Sequence, residues 1–102
     1  MFVVLYRWRL KKGREDAFRG AWARATTAIA AAHGARGSRL HQVDDGSWLA
    51  YAQWPDRESW ERMRASAPVA LEEFSVMANA QVDGAYPVPF LTMTVTDDEL
   101  RS

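Results

Sequence analysis

The chain has 102 residues, 13 basic and 13 acidic, with 48% hydrophobic side chains and no cysteine, which makes one domain that buries somewhat over ~60% of its unfolded surface. Zero formal charge leaves no electrostatic footprint for nucleic acid or an anionic membrane. The lack of cysteine removes disulfides, thiolate nucleophiles and cysteine metal sites, and fits a reducing cytoplasm.

The opening "MFVVLYRWRLKKGR" places apolar residues ahead of basic ones, the reverse of a signal peptide. The longest Ala-rich run, "AIAAA", is far too short to span a bilayer, so the expected location is cytoplasmic. Residues 2–10, "FVVLYRWRL", are β-branched and aromatic and predict a first strand. Val3 and Leu5 alternate with Phe2, Val4, Tyr6 and Trp8, so both faces of that strand are expected to be at least half buried. From Arg14 to about His33, Phe18, Trp22, Ala25 and Ile29 recur at helical spacing, and Gly34 and Gly37 end the helix.

"SRLHQVDDGSWLAYAQW" alternates around Asp45-Gly46, a strong hairpin signal. A two-residue loop there sets His41 opposite Ala50 and Leu40 opposite Tyr51, with Tyr51 and His41 on opposite faces. Pro55-Asp56 stops the strand and caps a helix from about Arg57, with Trp60 and Met63 on its apolar stripe. Pro68 breaks that helix, and "VALEEFSVMANA" continues as a second piece. "YPVPFLTMTV" is the last strand, its start pushed to an edge or loop by Pro87 and Pro89. Residues 1–96 then form a single domain, and 97–102 a polar tail.

The order β-α-β-β-α-β predicts an α+β, ferredoxin-like fold with an antiparallel four-stranded sheet and helices on one face. The other face carries apolar residues with no second layer left in the chain to cover it. A second copy is the simplest cover, so a homodimer is expected.

The segments "VVLYRWRLKKGREDAFRGAW", "AYAQWPDRESWERM" and "SAPVALEEF", followed by a closing strand, resemble the antibiotic biosynthesis monooxygenase family over roughly residues 2–95. The resemblance implies a dimeric α+β barrel in which each subunit holds a pocket between sheet and helices. It also implies that some members oxidise aromatic hydroquinones or anthrones with oxygen, using neither metal nor flavin. A haem-degrading branch relies on an Asn on the first strand and a Trp and His on the second helical segment. Those positions are here Tyr6, Met63 and about Glu73, so the triad is missing. Many members also carry a His where this chain has Met63.

Cofactor-free oxidation of an electron-rich aromatic needs an apolar slot, a polar group for the substrate phenol, and room for oxygen. The candidate polar residues are His41, as a base, and Tyr6. The candidate walls are Trp8, Trp22, Trp54, Trp60, Met63 and Phe74, with Met77 beside them. Aromatic and Met side chains at these spacings are also ordinary core, although a buried indole N–H seeks a partner. Trp48 and Trp60 read as packing residues, whereas Trp54, at the strand-to-helix bend, reads as a pocket wall. His33 reads as a helix C-terminal residue, and Arg7 and Arg9 as partners of interface carboxylates or as solvent-facing. No phosphate loop, zinc site or hydrolase arrangement is present in the sequence. The expectation is an oxygenase or oxidase of small or polycyclic phenolics with no cofactor. The alternatives are a dimeric module that binds an aromatic metabolite or haem without catalysis, and a structural dimer with a filled core.

Overall fold

The computed structural model describes residues 1–100. Its elements are β1 (Phe2–Trp8), α1 (Glu15–His33), β2 (Ser38–Gln42), β3 (Trp48–Trp54), α2 (Arg57–Ala65), α3 (Leu71–Ala80) and β4 (Leu91–Thr94). The four strands form one antiparallel sheet in the order β2-β3-β1-β4. This is the expected α+β, ferredoxin-like arrangement. No helix among the described residues is long and apolar enough to cross a membrane.

The even-numbered residues of β1 face the helices. Phe2 and Val4 pack with Trp54 and Trp60, while Trp8 and Leu40 pack on a second cluster of Phe18, Ala21 and Ala25 from α1 and Met77 and Ala80 from α3. Alternation along the strands carries this to β2 and β3, so Ser38, Leu40, Ala50, Ala52 and Trp54 share the helix side. Val3, on the opposite face, is also buried, at 1% exposure, which bears out the reading of β1 as apolar on both sides.

Local chemistry sets the element ends. Gly34 takes φ 75 and its N–H donates to the Ala30 carbonyl at 3.1 Å, closing α1 in the left-handed conformation that glycine adopts without a Cβ penalty. Asp56 caps α2 as expected, its Oδ1 accepting from the Ser59 N–H at 2.7 Å. Pro68 lies between α2 and α3, and Ala70 turns the chain into α3 through a left-handed conformation at φ 56. β4 is shorter than "YPVPFLTMTV" suggested, starting only at Leu91, and it lies at the sheet edge. Residues 101–102 of the expected polar tail lie outside the described residues. Its residues 97–100 border a groove with Val3, Tyr51 and Met93 of the open sheet face.

The hairpin differs from expectation by one residue. Val43 N–H donates to the Ser47 carbonyl at 2.8 Å and Gly46 N–H to the Val43 carbonyl at 2.9 Å, so Asp44, Asp45 and Gly46 together form the loop. Gly46 stands at φ 85, as the last residue of a three-residue loop with a bulge requires. Asp45 fixes this longer loop by accepting from the Ser47 N–H at 2.8 Å, the Ser47 hydroxyl at 2.6 Å and Arg7 at 2.7 Å. The carboxylate that Arg7 meets is therefore in its own chain. A one-residue slip exchanges which residues face each other. His41 pairs with Leu49 and Leu40 with Ala50, and His41 and Tyr51 share the open face instead of opposing ones.

Candidate active site

A cavity of about 260 Å³ lies between the helix side of the sheet and the helices. It exists because the residues across its floor stop at Cβ. Ala50 and Ala52 of β3 stand between Trp48 and Trp54, and Ala25 of α1 and Ala35 add no bulk above them. Large side chains close the perimeter: Trp8, Trp22 and Trp54, then Met63, Phe74 and Met77. Trp8 is held edge-on to Phe18, with ring centroids 4.9 Å apart, and it stacks with Tyr6 at 6.1 Å.

The lining contains no charged side chain. Its polar side-chain atoms beyond the indoles are the hydroxyls of Tyr6, Thr26 and Ser38. The Tyr6 oxygen accepts from the Trp60 indole Nε1–H at 3.1 Å. Burial raises the Tyr6 pKa, opposed by the Trp60 hydrogen bond and the positive charge of Arg64. Tyr6 is thus a neutral phenol at physiological pH. Its oxygen is already occupied as an acceptor of the indole proton, and its own O–H is available to a ligand. Ser38 Oγ is sealed from solvent with no hydrogen-bond partner among the described residues.

Six of the eight residues expected at the site border this cavity: Tyr6, Trp8, Trp22, Trp54, Met63 and Phe74. Trp60 does not. It is buried at 3% exposure behind the wall, packed 5.5 Å from Phe2 and in one cluster with Trp54, and its indole N–H donates to Tyr6. His41 is displaced to the open face by the hairpin register, exposed, with Nδ1 3.1 Å from the Leu49 carbonyl. From there its imidazole cannot touch a ligand in the cavity. Ser38, Thr26 and the alanine floor were missed by the sequence reading. The visible signal was "LAYAQW", in which small residues alternate inside a run of large ones, but its use required knowing which parity faces the helices. Among the described residues, no group of three or more His, Cys, Asp or Glu is placed to hold a metal ion.

The family model for antibiotic biosynthesis monooxygenases matches residues 1–75. No curated protein matches the chain. Among solved structures, Rv0793 from Mycobacterium tuberculosis superposes with a TM-score of 0.72 at 19% identity, over 97% of this chain and 98% of the other. SnoaB, a cofactor-independent oxygenase from Streptomyces nogalater, gives 0.65 at 20% identity, over 79% and 83%. A conserved protein from Methanosarcina mazei Go1 gives 0.63 at 13% identity, over 78% and 80%. At these identities the likeness shows the shared fold.

Proposed function

The chain belongs to the antibiotic biosynthesis monooxygenase family, and from that premise we propose that it is a cofactor-independent oxygenase of small or polycyclic phenolic aromatics, with the Tyr6 cavity as its active site. The observation that carries this reading is the Tyr6 phenol itself. It is oriented by Trp60 and stands in a cavity without charged side chains, walled by Trp8, Trp22 and Trp54.

The chemistry follows from what the cavity offers. No lining residue is a carboxylate or an imidazole, so Tyr6 acts by donating its O–H to the substrate oxygen and stabilising the phenolate, not as the base. The phenol proton passes to solvent water, and protons are taken up again by the reduced oxygen as H2O or H2O2. A preorganised donor in a water-poor site is worth more to a developing anion than the same donor in water. The phenolate is the form that gives up an electron to oxygen readily. For a methylene between aromatic rings the balance is CH2 + O2 → C=O + H2O, which needs no outside reductant. For a hydroquinone, two electrons and two protons pass to O2 to leave quinone and H2O2. The apolar walls exclude bulk water from the reactive carbanion or radical.

A second copy of the chain is proposed as the cover of the open sheet face. Leu91 and Met93, paired with Leu5 and Val3 on that side, are 51% and 40% exposed in the single chain.

The test is oxygen uptake by metal-stripped protein with a panel of anthrones and aromatic hydroquinones, corrected for autoxidation. Saturable uptake that falls at least tenfold in Tyr6→Phe and is unchanged in His41→Ala supports the proposal. Uptake no greater than background across the panel, with binding retained under anaerobic conditions, would make the cavity a binding site without oxygenase chemistry.

A further inference from the structure

Ser38 is the first residue of β2, and its side chain lies on the helix side of the sheet, since Leu40 two residues on packs against the Phe18 core. It borders the cavity, and its Oγ is buried with no hydrogen-bond partner. A sealed hydroxyl without a partner lowers stability. Alanine serves at Ala35, Ala50 and Ala52 of the same lining, so nothing about packing calls for an oxygen here. The hydroxyl is explained if its partner arrives with a ligand.

The sheet register says where that partner sits relative to Tyr6. Tyr6 is opposite Ala50 on β3, and Ser38 is opposite Ala52. The two hydroxyl-bearing residues of the sheet therefore flank the alanine floor on strands roughly 10 Å apart, two strand spacings, and are offset by two residues along the strand direction. A ligand lying flat on Ala50 and Ala52 meets the Tyr6 O–H at one end and Ser38 at the other, where a change of the serine rotamer turns the sealed Oγ toward it.

We infer that Ser38 is a substrate-positioning residue that pairs with a second oxygen function of the ligand, at the end of the cavity away from Tyr6. The inference rests on the reading of the Tyr6 cavity as the substrate site. It excludes ligands that need a fixed counter-charge, because no charged side chain lines the cavity.

Calorimetric titration under anaerobic conditions, with 2,6-dihydroxynaphthalene against 2-naphthol, tests it. The wild-type chain is expected to bind the diol roughly five- to tenfold more tightly, the yield of one additional buried hydrogen bond. In Ser38→Ala that preference disappears, affinity for 2-naphthol stays the same, and the melting temperature rises because an unpartnered buried hydroxyl has been removed. The combination of higher stability with lost selectivity is one that a purely structural serine cannot produce. A diol preference that survives in Ser38→Ala, or a melting temperature that falls, would overturn the assignment. Because no turnover is read, failure of the oxygen-uptake assay leaves this result standing. If wild-type protein binds neither compound, the cavity reading and this inference fall together.

Discussion

The Trp60 indole donates to the Tyr6 hydroxyl at 3.1 Å, linking α2 to the central strand across 54 positions of sequence. It is the relationship that leaves Tyr6 a donor to the cavity it borders, because the oxygen accepts the indole proton and keeps its own to give. Trp60→Phe breaks it while keeping a ring against Phe2. The expected cost is on the order of 1–3 kcal/mol in urea unfolding, since the buried Tyr6 oxygen loses its partner. Without the Trp60 hydrogen bond the Tyr6 pKa should also move further up, which ultraviolet titration of the phenolate band would follow. A variant as stable as the parent, with an unchanged Tyr6 titration, would remove Trp60 from the account.

Tyr6 links stability to alkaline pH. Its folded pKa is raised above the ordinary phenol value, chiefly by burial, so folding favours the protonated phenol. That contribution is fully present below the unfolded pKa and is lost as pH rises through the raised folded value. Thermal melts from pH 7 upward should be level up to about 10 and then fall. The difference curve between wild type and Tyr6→Phe isolates this group. A difference that is flat across the alkaline range would contradict it.

Asp56 supplies the matching case on the acid side. Its pKa is lowered by hydrogen bonds from the Ser59 backbone and hydroxyl, so its capping contribution is present above the unfolded carboxylate pKa and is lost as pH falls through the depressed folded value. Asp56→Ala should lower the melting temperature at pH 7, and the gap between variant and parent should close as pH falls below the ordinary carboxylate range. An equal gap at both ends would mean that the side chain acts through packing instead.

Ala52 tests whether the cavity is real space. Replacing it with leucine puts three carbons into the void, where they gain contacts in place of the overpacking cost of about 1–3 kcal/mol expected in a filled core. Ala52→Leu should hold or raise the melting temperature while weakening naphthol binding by at least about tenfold, or 1.4 kcal/mol. A steep loss of stability with ligand binding retained would show that the floor is already filled.

Leu91 and Met93 test the open face. With Leu91→Glu and Met93→Glu combined, light scattering after size exclusion should give the mass of one chain, where wild type gives two. A wild-type protein that is already a single chain at tens of micromolar would remove the second copy as the cover.

Most of the architecture was legible in the chain. The left-handed stop at Gly34, the cap at Asp56 and the break at Pro68 are short-range effects that act within a few residues. The apolar character of both parities in β1 signalled a central strand, and Phe2, Val3 and Val4 are all buried. Trp54 was readable as a wall from its place at the bend. Trp60 was readable as packing, though not as the partner of a residue 54 positions away.

The sequence by itself thus determined the order of the elements, their ends and the supply of aromatic walls, because each depends on neighbours along the chain. Tertiary structure alone decided which strand parity faces the helices and which residue lies opposite which. Asp45-Gly46 suits a two-residue loop and a three-residue loop almost equally well, and Arg7, 38 residues distant, meets Asp45 only in the folded sheet. That choice of a single residue set Ser38 beside Ala52 at the void and turned His41 away from it. Side chains alternate with a period of two, so a register that differs by one places every side chain of the strand on the other face.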